Sequence, residues 1–211
     1  SLFITDLQEK FQTAGIEVKN SNLGQLPETT WFHYPSDYLG DIVHSLNVRS
    51  DNLYAESVLR LLSLSDHEKG SAEKGIDIIR KYWQNYEADS LELFMYDGSG
   101  LARNNKVSAK YLNCVLKETA RDSLIGEYFV QTLPLAGKEG SVATFMKHGE
   151  LPGELRLKSG SMSDVHAYAG YYTTPQNRYA IVVMINNYTC TRAQLKQKIS
   201  TLLTQVLSKK E

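Results

Sequence analysis

The run Ile181-Val182-Val183-Met184-Ile185 is apolar at every position. Side chains alternate between the two faces of a strand, so a strand apolar throughout must be covered on both sides. This run ends a series of three segments that read as strands, Glu154 to Ser161, His166 to Thr173 and Arg178 to Asn186. The last two are joined by Thr174-Pro175-Gln176-Asn177, which puts Pro at the second turn position, where its fixed φ fits, and makes an antiparallel hairpin. The segment from Thr191 onward supplies one cover, a helix with Leu195, Ile199, Leu202 and Val206 as its apolar stripe. Helices from earlier in the chain must supply the other. The expected architecture is α/β (α+β), an antiparallel sheet flanked by helices.

The rest of the chain offers those helices. Leu2, Phe3, Leu7 and Phe11 predict a short amphipathic helix ending near Gly15, followed by an extended segment from Ile16 to Lys19 and a polar connection from Asn20 to Pro35. Ser36-Asp37 reads as an N-cap opening a helix with Leu39, Ile42, Val43 and Leu46 on one face. A second helix starts at Ser50-Asp51-Asn52 and is expected to bury Leu53, Val58, Leu59 and Leu62; a third, capped by Gly70-Ser71, carries Ile76, Ile79 and Trp83 and stops before Asp89. Leu91 to Met95 reads as a short strand leading into the turn Asp97-Gly98-Ser99-Gly100. Ser108 caps a helix with Leu112, Val115 and Leu116, another short helix covers Leu124 to Gln131, and Ala136 to Gly153 reads as a loop.

Composition narrows the function classes. A net charge of -1 gives no electrostatic reason to expect nucleic acid or an anionic membrane as partner. No apolar run approaches the length of a membrane span, and the N-terminal SLFITDLQEKFQ lacks a signal-peptide pattern. Cys114 and Cys190 are too few and too far apart for a disulfide framework or a zinc site, and whether they pair is open. His33, His44, His67, His148 and His166 show no metal spacing and read as surface or loop residues. No cofactor is implied. Thirteen tyrosines against six phenylalanines suggest half-buried rings with hydroxyls near water, as around a polar cleft.

Two triplets carry candidate chemistry. Lys158-Ser159-Gly160, followed by Ser161, brings a cation, two hydroxyls and a glycine to one strand edge, which suits holding a carboxylate beside a reacting carbonyl. Such triplets are also common as solvated strand ends. Ser50-Asp51-Asn52 is the composition helices favour at their N-termini. It also puts a hydroxyl and a carboxamide two residues apart, the first placed to relay a proton and the second to hold a substrate amide.

In order, S-D-N and K-S-G about a hundred residues later match the second and third motifs of the penicilloyl-serine transferases, whose pattern is S-x-x-K, S-D-N, K-T-G. The segments VRSDNLYAE (Val48 to Glu56), DGSGLARNN (Asp97 to Asn105), LPLAGKEGS (Leu133 to Ser141) and LKSGSMSDVHAYAGYY (Leu157 to Tyr172) resemble, in order, those of the D-alanyl-D-alanine carboxypeptidase/endopeptidase family, class C low-molecular-mass penicillin-binding proteins of peptidase family S13. The chain departs from that pattern at Ser159, where the family has Thr, and at Ala102, where it has Ser.

The resemblance implies acyl transfer on peptidoglycan stem peptides ending in D-Ala-D-Ala, inhibition by β-lactams and an extracytoplasmic location. It implies that Ser50 relays a proton with Lys158 keeping the field positive, that Asn52 holds a substrate amide, and that Ser159 and Ser161 bind the terminal carboxylate across Gly160. It also places Arg103 and Met162 at the pocket for the stem-peptide side chain. For Arg103 a solvated surface role, and for Met162 core filling, stand beside those roles. The family nucleophile is the Ser of S-x-x-K and precedes S-D-N. Only Ser71-Ala72-Glu73-Lys74 has that spacing here, and it follows S-D-N in a context that reads as a helix cap. The expectation is therefore that residues 1–211 are the C-terminal part of one transpeptidase domain, with the nucleophile and inserted domains upstream and two N-terminal strands of a five-stranded sheet absent. By itself this chain is expected to be inactive. A non-catalytic peptidoglycan-binding relative and a serine esterase or β-lactamase remain the alternatives.

Overall fold

The computed structural model describes residues 9–17, 35–65, 69–86, 92–146 and 151–208. Residues 1–36 and 37–211 form separate units. In the first, residues 9–13 are helical and exposed; Leu2, Phe3 and Leu7 of the expected helix, Val18 and Lys19 of the extended segment, and most of the connection to Pro35 lie outside the described residues. The second unit runs α1 (Leu39–Arg49), α2 (Asn52–Leu61), α3 (Ala72–Trp83), β1 (Leu93–Phe94), β2 (Lys106–Val107), α4 (Ala109–Arg121), α5 (Gly126–Thr132), a 3-10 turn (Gly140–Val142), β3 (Glu154–Met162), β4 (Val165–Thr173), β5 (Arg178–Asn186) and α6 (Arg192–Leu207).

The three long strands make one antiparallel sheet in the order β3-β4-β5. Its two faces have separate cores, as the all-apolar run requires. Ile181, Val183 and Ile185 join Leu155, Leu157, Tyr168 and Tyr172 against Leu195, Ile199, Leu203 and Leu207 of α6. Val182 faces the other way, with Ala169, Tyr171 and Ala180, against Leu116, Val130 and Leu133. Opposite parity along β5 thus feeds opposite layers. Three tyrosines go beyond the half-buried expectation: Tyr168, Tyr171 and Tyr172 are sealed in the sheet, and the Tyr171 hydroxyl donates to the Leu116 carbonyl at 2.7 Å, while Tyr179 and Tyr188 are partly buried.

Several expected faces shift by a residue or two. α6 starts at a capping box of Thr191 and Gln194, but its stripe runs Leu195, Ile199, Leu203, Leu207, a strict four-residue repeat, leaving Leu202 and Val206 exposed. Tyr38, not Ser36 or Asp37, is the N-cap of α1, and Leu39 is exposed. On α2 only Leu59 is fully buried, while Leu53 and Leu62 are exposed. The cause is one-sided packing, because the neighbours of α2 approach at glycines. A Cβ on Gly75 would meet the Leu59 carbonyl oxygen at 2.3 Å, and one on Gly98 the Ala55 oxygen at 2.7 Å. The strand expected over Leu91 to Met95 shortens to β1, paired with β2. The segment expected as a plain loop from Ala136 supplies core residues, with Val142 and Phe145 buried and the Phe145 ring stacked on Tyr168 at 4.3 Å between centroids.

Leu157 is fully enclosed between β4 and α6. Leu157→Ala should lower unfolding free energy by about 2–5 kcal/mol in urea titrations, the range for a buried leucine whose cavity cannot collapse.

Candidate active site

The site forms where the junction of α1 and α2 meets the exposed end of β3. α1 is held from below, where the buried Asn47 Nδ2 donates to Thr132 Oγ1 of α5 at 3.0 Å. Its C-cap is Ser50, in the left-handed conformation at φ 57° and ψ 47°. That conformation costs a non-glycine residue about 1–2 kcal/mol and lets the chain reverse within one residue. Asp51 then caps α2, its carboxylate accepting from the N–H groups of Leu53 at 2.9 Å and Tyr54 at 3.1 Å. Within the triplet the side-chain capping falls to Asp51 alone. Ser50 and Asn52 are left exposed on either side of it.

The Lys158 ammonium donates to Ser50 Oγ, closing a contact between residues 108 apart in the chain, and to the Ser159 carbonyl at 3.0 Å. Burial lowers the Lys158 pKa below the ordinary lysine value. The neighbouring Ser159 hydroxyl donates to Ser141 Oγ at 2.8 Å. Ser141 joins this cluster although the motifs did not mark it and it only closes the LPLAGKEGS segment. Nothing in its spacing ties it to Ser159, and only the fold brings the two together.

The outer edge of β3 is half covered. The Leu157 N–H donates to the Pro134 carbonyl at 3.0 Å and the Leu155 carbonyl accepts from Ala136 N–H at 2.8 Å. By alternation the backbone N–H and C=O groups of Ser159 and Ser161 face the same edge. There, among the described residues, no strand pairs with them. Gly160 has open space where a Cβ would sit, and Ser161 is exposed.

Arg103 and Met162 stand apart from this cluster. Met162 ends β3, paired with Val165, and is half-buried. Arg103 is exposed and has no hydrogen bond or ion pair among the described residues. Its turn is nevertheless fixed to the helix that follows Ser50. Glu56 accepts from the N–H groups of Gly98 at 2.9 Å and Ser99 at 3.0 Å. Asp97 accepts from Gly100 N–H, Ala102 N–H and the Asn105 side chain. Burial raises the Asp97 pKa, but these hydrogen bonds outweigh it and leave the carboxyl below its ordinary value.

Two other readings resolve. Ser71 caps α3, accepting from Lys74 N–H at 3.2 Å, as the cap reading of Ser71-Ala72-Glu73-Lys74 expects. His166, expected at the surface, is 3% exposed on β4, edge-on to Tyr168, with its pKa lowered by burial and then by the charges of Lys196 and Arg192. It lies directly across from Ser161, so the strand pairing drew it under α6. His44 is exposed, and His33, His67 and His148 lie outside the described residues. Cys114 and Cys190 are both free thiols.

The profile of the D-Ala-D-Ala carboxypeptidase 3 (S13) family matches residues 1–209. The chain belongs to that family. Among curated relatives of this S13 chain, it is 25% identical over 193 residues to the D-alanyl-D-alanine carboxypeptidase of Actinomadura sp. (strain R39), covering 86% of this chain and 36% of that one. It is 27% identical over 171 residues to D-alanyl-D-alanine carboxypeptidase DacB of Haemophilus influenzae, covering 78% and 35%. The S13 chain thus spans about a third of the length of these relatives. Among solved structures it superposes on penicillin binding protein 4 of Haemophilus influenzae with a TM-score of 0.77 at 24% identity, over 97% of this chain and 48% of that one. On the predatory endopeptidase Bd0816 of Bdellovibrio bacteriovorus the TM-score is 0.65 at 15% identity, over 99% and 56%. These two likenesses establish the mixed helix and antiparallel-sheet fold.

Because burial holds Lys158 below its ordinary pKa, the folded protein binds that proton less tightly than the unfolded chain does. The charged lysine therefore costs stability below the depressed pKa, and the cost fades as pH rises through it. Lys158→Met should unfold at the same temperature as the parent or higher at pH 7, with the advantage shrinking at higher pH in thermal melts. A fall of several degrees at pH 7 would mean that the contact with Ser50 outweighs desolvation.

Proposed function

We propose that these 211 residues form the C-terminal part of a serine DD-peptidase domain that cleaves D-Ala-D-Ala-type bonds in peptidoglycan stem peptides outside the cytoplasm and is acylated by β-lactams. The contact of Lys158 with Ser50 carries this reading. It joins a cation to a hydroxyl from two separate motifs at the end of an open strand edge, an arrangement that a helix cap and a solvated strand end have no reason to make.

In this reading the nucleophile is a serine on a segment outside these residues. It attacks the penultimate D-Ala carbonyl, the C–N bond breaks, and water later releases the acyl group from the serine. Ser50 passes a proton to the leaving amine, and Lys158 keeps the field around it positive. The N–H of Ser161, aimed at the open edge of β3, stabilises the developing oxyanion together with the N–H of the nucleophile. Substrate backbone lies along that edge as an added strand, with Asn52 holding its amide and Gly160 leaving room for close approach. The hydroxyls of Ser159 and Ser161 bind the terminal carboxylate. Ser in place of Thr at 159 keeps the hydroxyl. In this reading β5, which has no outer neighbour among the described residues, is the edge on which the two further strands of a five-stranded sheet would pair.

In full-length protein, Ser50→Ala and Lys158→Ala should each slow acylation by a fluorescent penicillin by about a hundredfold or more while the protein stays folded. Rates within threefold of the parent would sink the assignment of both residues. A persistent penicillin adduct supports a peptidase, and rapid release with hydrolysed penicillin would point to a β-lactamase instead.

Arg103 and Met162 belong in this proposal to the subsite for the stem-peptide side chain. A guanidinium on a turn locked to α2 by Glu56 can reach over a cleft without the scaffold moving. Arg103→Ala should lower kcat/KM for a diaminopimelate-containing peptide by roughly tenfold to a hundredfold, one charge-assisted pair. Penicillin acylation, which involves no such side chain, is the internal control. Equal losses in both assays would assign Arg103 to structure.

A further inference from the structure

Ser141 sits at the centre of the exposed 3-10 turn, between Gly140 and the fully buried Val142. Its position is set by its neighbours. Gly140 is left-handed at φ 51°, and a Cβ there would meet the Val48 carbonyl oxygen at 2.2 Å, so the turn lies directly against the end of α1 that carries Ser50. Val142 and Phe145 anchor the other side in the sheet core. The hydroxyl caps nothing: the N-cap of the turn is Glu139, which makes no side-chain cap bond. Among the described residues, the partner of Ser141 Oγ is Ser159 Oγ at 2.8 Å.

We propose that Ser141 is a positioning residue for the Ser159 hydroxyl and, through it, a determinant of preference for substrates that end in a free carboxylate. This rests on the reading of Ser159 as a carboxylate-binding group. A serine hydroxyl has one hydrogen to give and two lone pairs to fill. Before substrate arrives, Ser159 gives its hydrogen to Ser141. A carboxylate only accepts, so on binding Ser159 must turn that hydrogen outward, and Ser141 then donates its own hydrogen to a lone pair of the Ser159 oxygen. Ser159 stays paired in both states and its rotamer is held by a neighbour that is itself fixed to α1 and the core. The second donor also polarises the first, strengthening the bond Ser159 makes to an anion. The Lys158 ammonium donates to Ser50 Oγ and the Ser159 carbonyl, so the hydroxyl of Ser159 has Ser141 as its partner.

The test uses full-length protein and two synthetic peptides ending in D-Ala-D-Ala, one with a free terminal carboxylate and one with a terminal carboxamide. Ser141→Ala should reduce the ratio of kcat/KM values, free acid over amide, by roughly threefold to tenfold, the range for one neutral hydrogen bond standing behind the charged contact. The change should lie mainly in KM. Ser141→Thr, which keeps the hydroxyl, should restore the ratio. In a Ser159→Ala background the same Ser141→Ala change should alter the ratio by less than twofold, because the proposed effect runs through the Ser159 hydroxyl. An unchanged ratio in the single variant, or full additivity in the double, would overturn the proposal. So would equal losses on both peptides, the signature of a damaged turn. Failure of the parent protein to cleave either peptide or to be acylated by penicillin would overturn the functional reading itself, and this shows before any variant is made.

Discussion

The contact between the Lys158 ammonium and the Ser50 hydroxyl depends on most of the second unit being in place. Ser50 reaches it only because α1 ends in a single left-handed residue, and α1 keeps its position through the buried Asn47–Thr132 bond. Lys158 reaches it only because β3 is registered on β4 and covered by the segment from Leu133 to Ala136. The contact is also unfavourable in part, since it holds a lysine in surroundings that disfavour its charge. A left-handed serine and a desolvated lysine meeting at one point are local costs that the rest of the fold must offset, a pattern that points to function more than to stability.

Close backbone approach is the second organising device. Gly75, Gly98 and Gly140 each face a carbonyl oxygen of α1 or α2 closer than any Cβ would tolerate. They dock α3, the Asp97–Gly100 turn and the 3-10 turn onto the same pair of helices. Glu56 reinforces the middle docking with two backbone hydrogen bonds. The α2 helix therefore begins at the candidate site and carries the turn of Arg103 halfway along its length. This gives a physical reason why VRSDNLYAE and DGSGLARNN occur together in one chain: the Glu that ends the first segment holds the loop that opens the second.

The sheet face under α6 behaves differently from the site beside it. Tyr168 and Tyr172 present buried hydroxyls, and His166 two buried ring nitrogens, without hydrogen-bond partners among the described residues. Burial pushes the Tyr168 pKa up to about 12, and His166 is biased toward neutrality with Lys196 and Arg192 near it. The layer under α6 is biased toward neutrality, while on β3 beside it the half-buried Lys158 faces Ser50.

The sequence by itself determined the sheet, because alternation is a local property: an apolar run five residues long could be satisfied only by two covers, and both are there. It also determined which triplets meet, through their match to the motif order of a known family, and the cap at Ser71, whose spacing to Lys74 is a matter of one helical turn. What it left open were helix faces and partners set by what happens to dock. Leu53 and Leu202 are as apolar as Leu59 and Leu203, and which of each pair is buried depends on where glycines admit a neighbour and on how α6 rotates against the sheet. His166 lies in a strand whose pairing, not its composition, carried it inside. Ser141 had no spacing to mark it. Its hydroxyl became part of the site only when the 3-10 turn settled between α1 and β3, which is a decision of tertiary packing, made by contacts far apart in the chain.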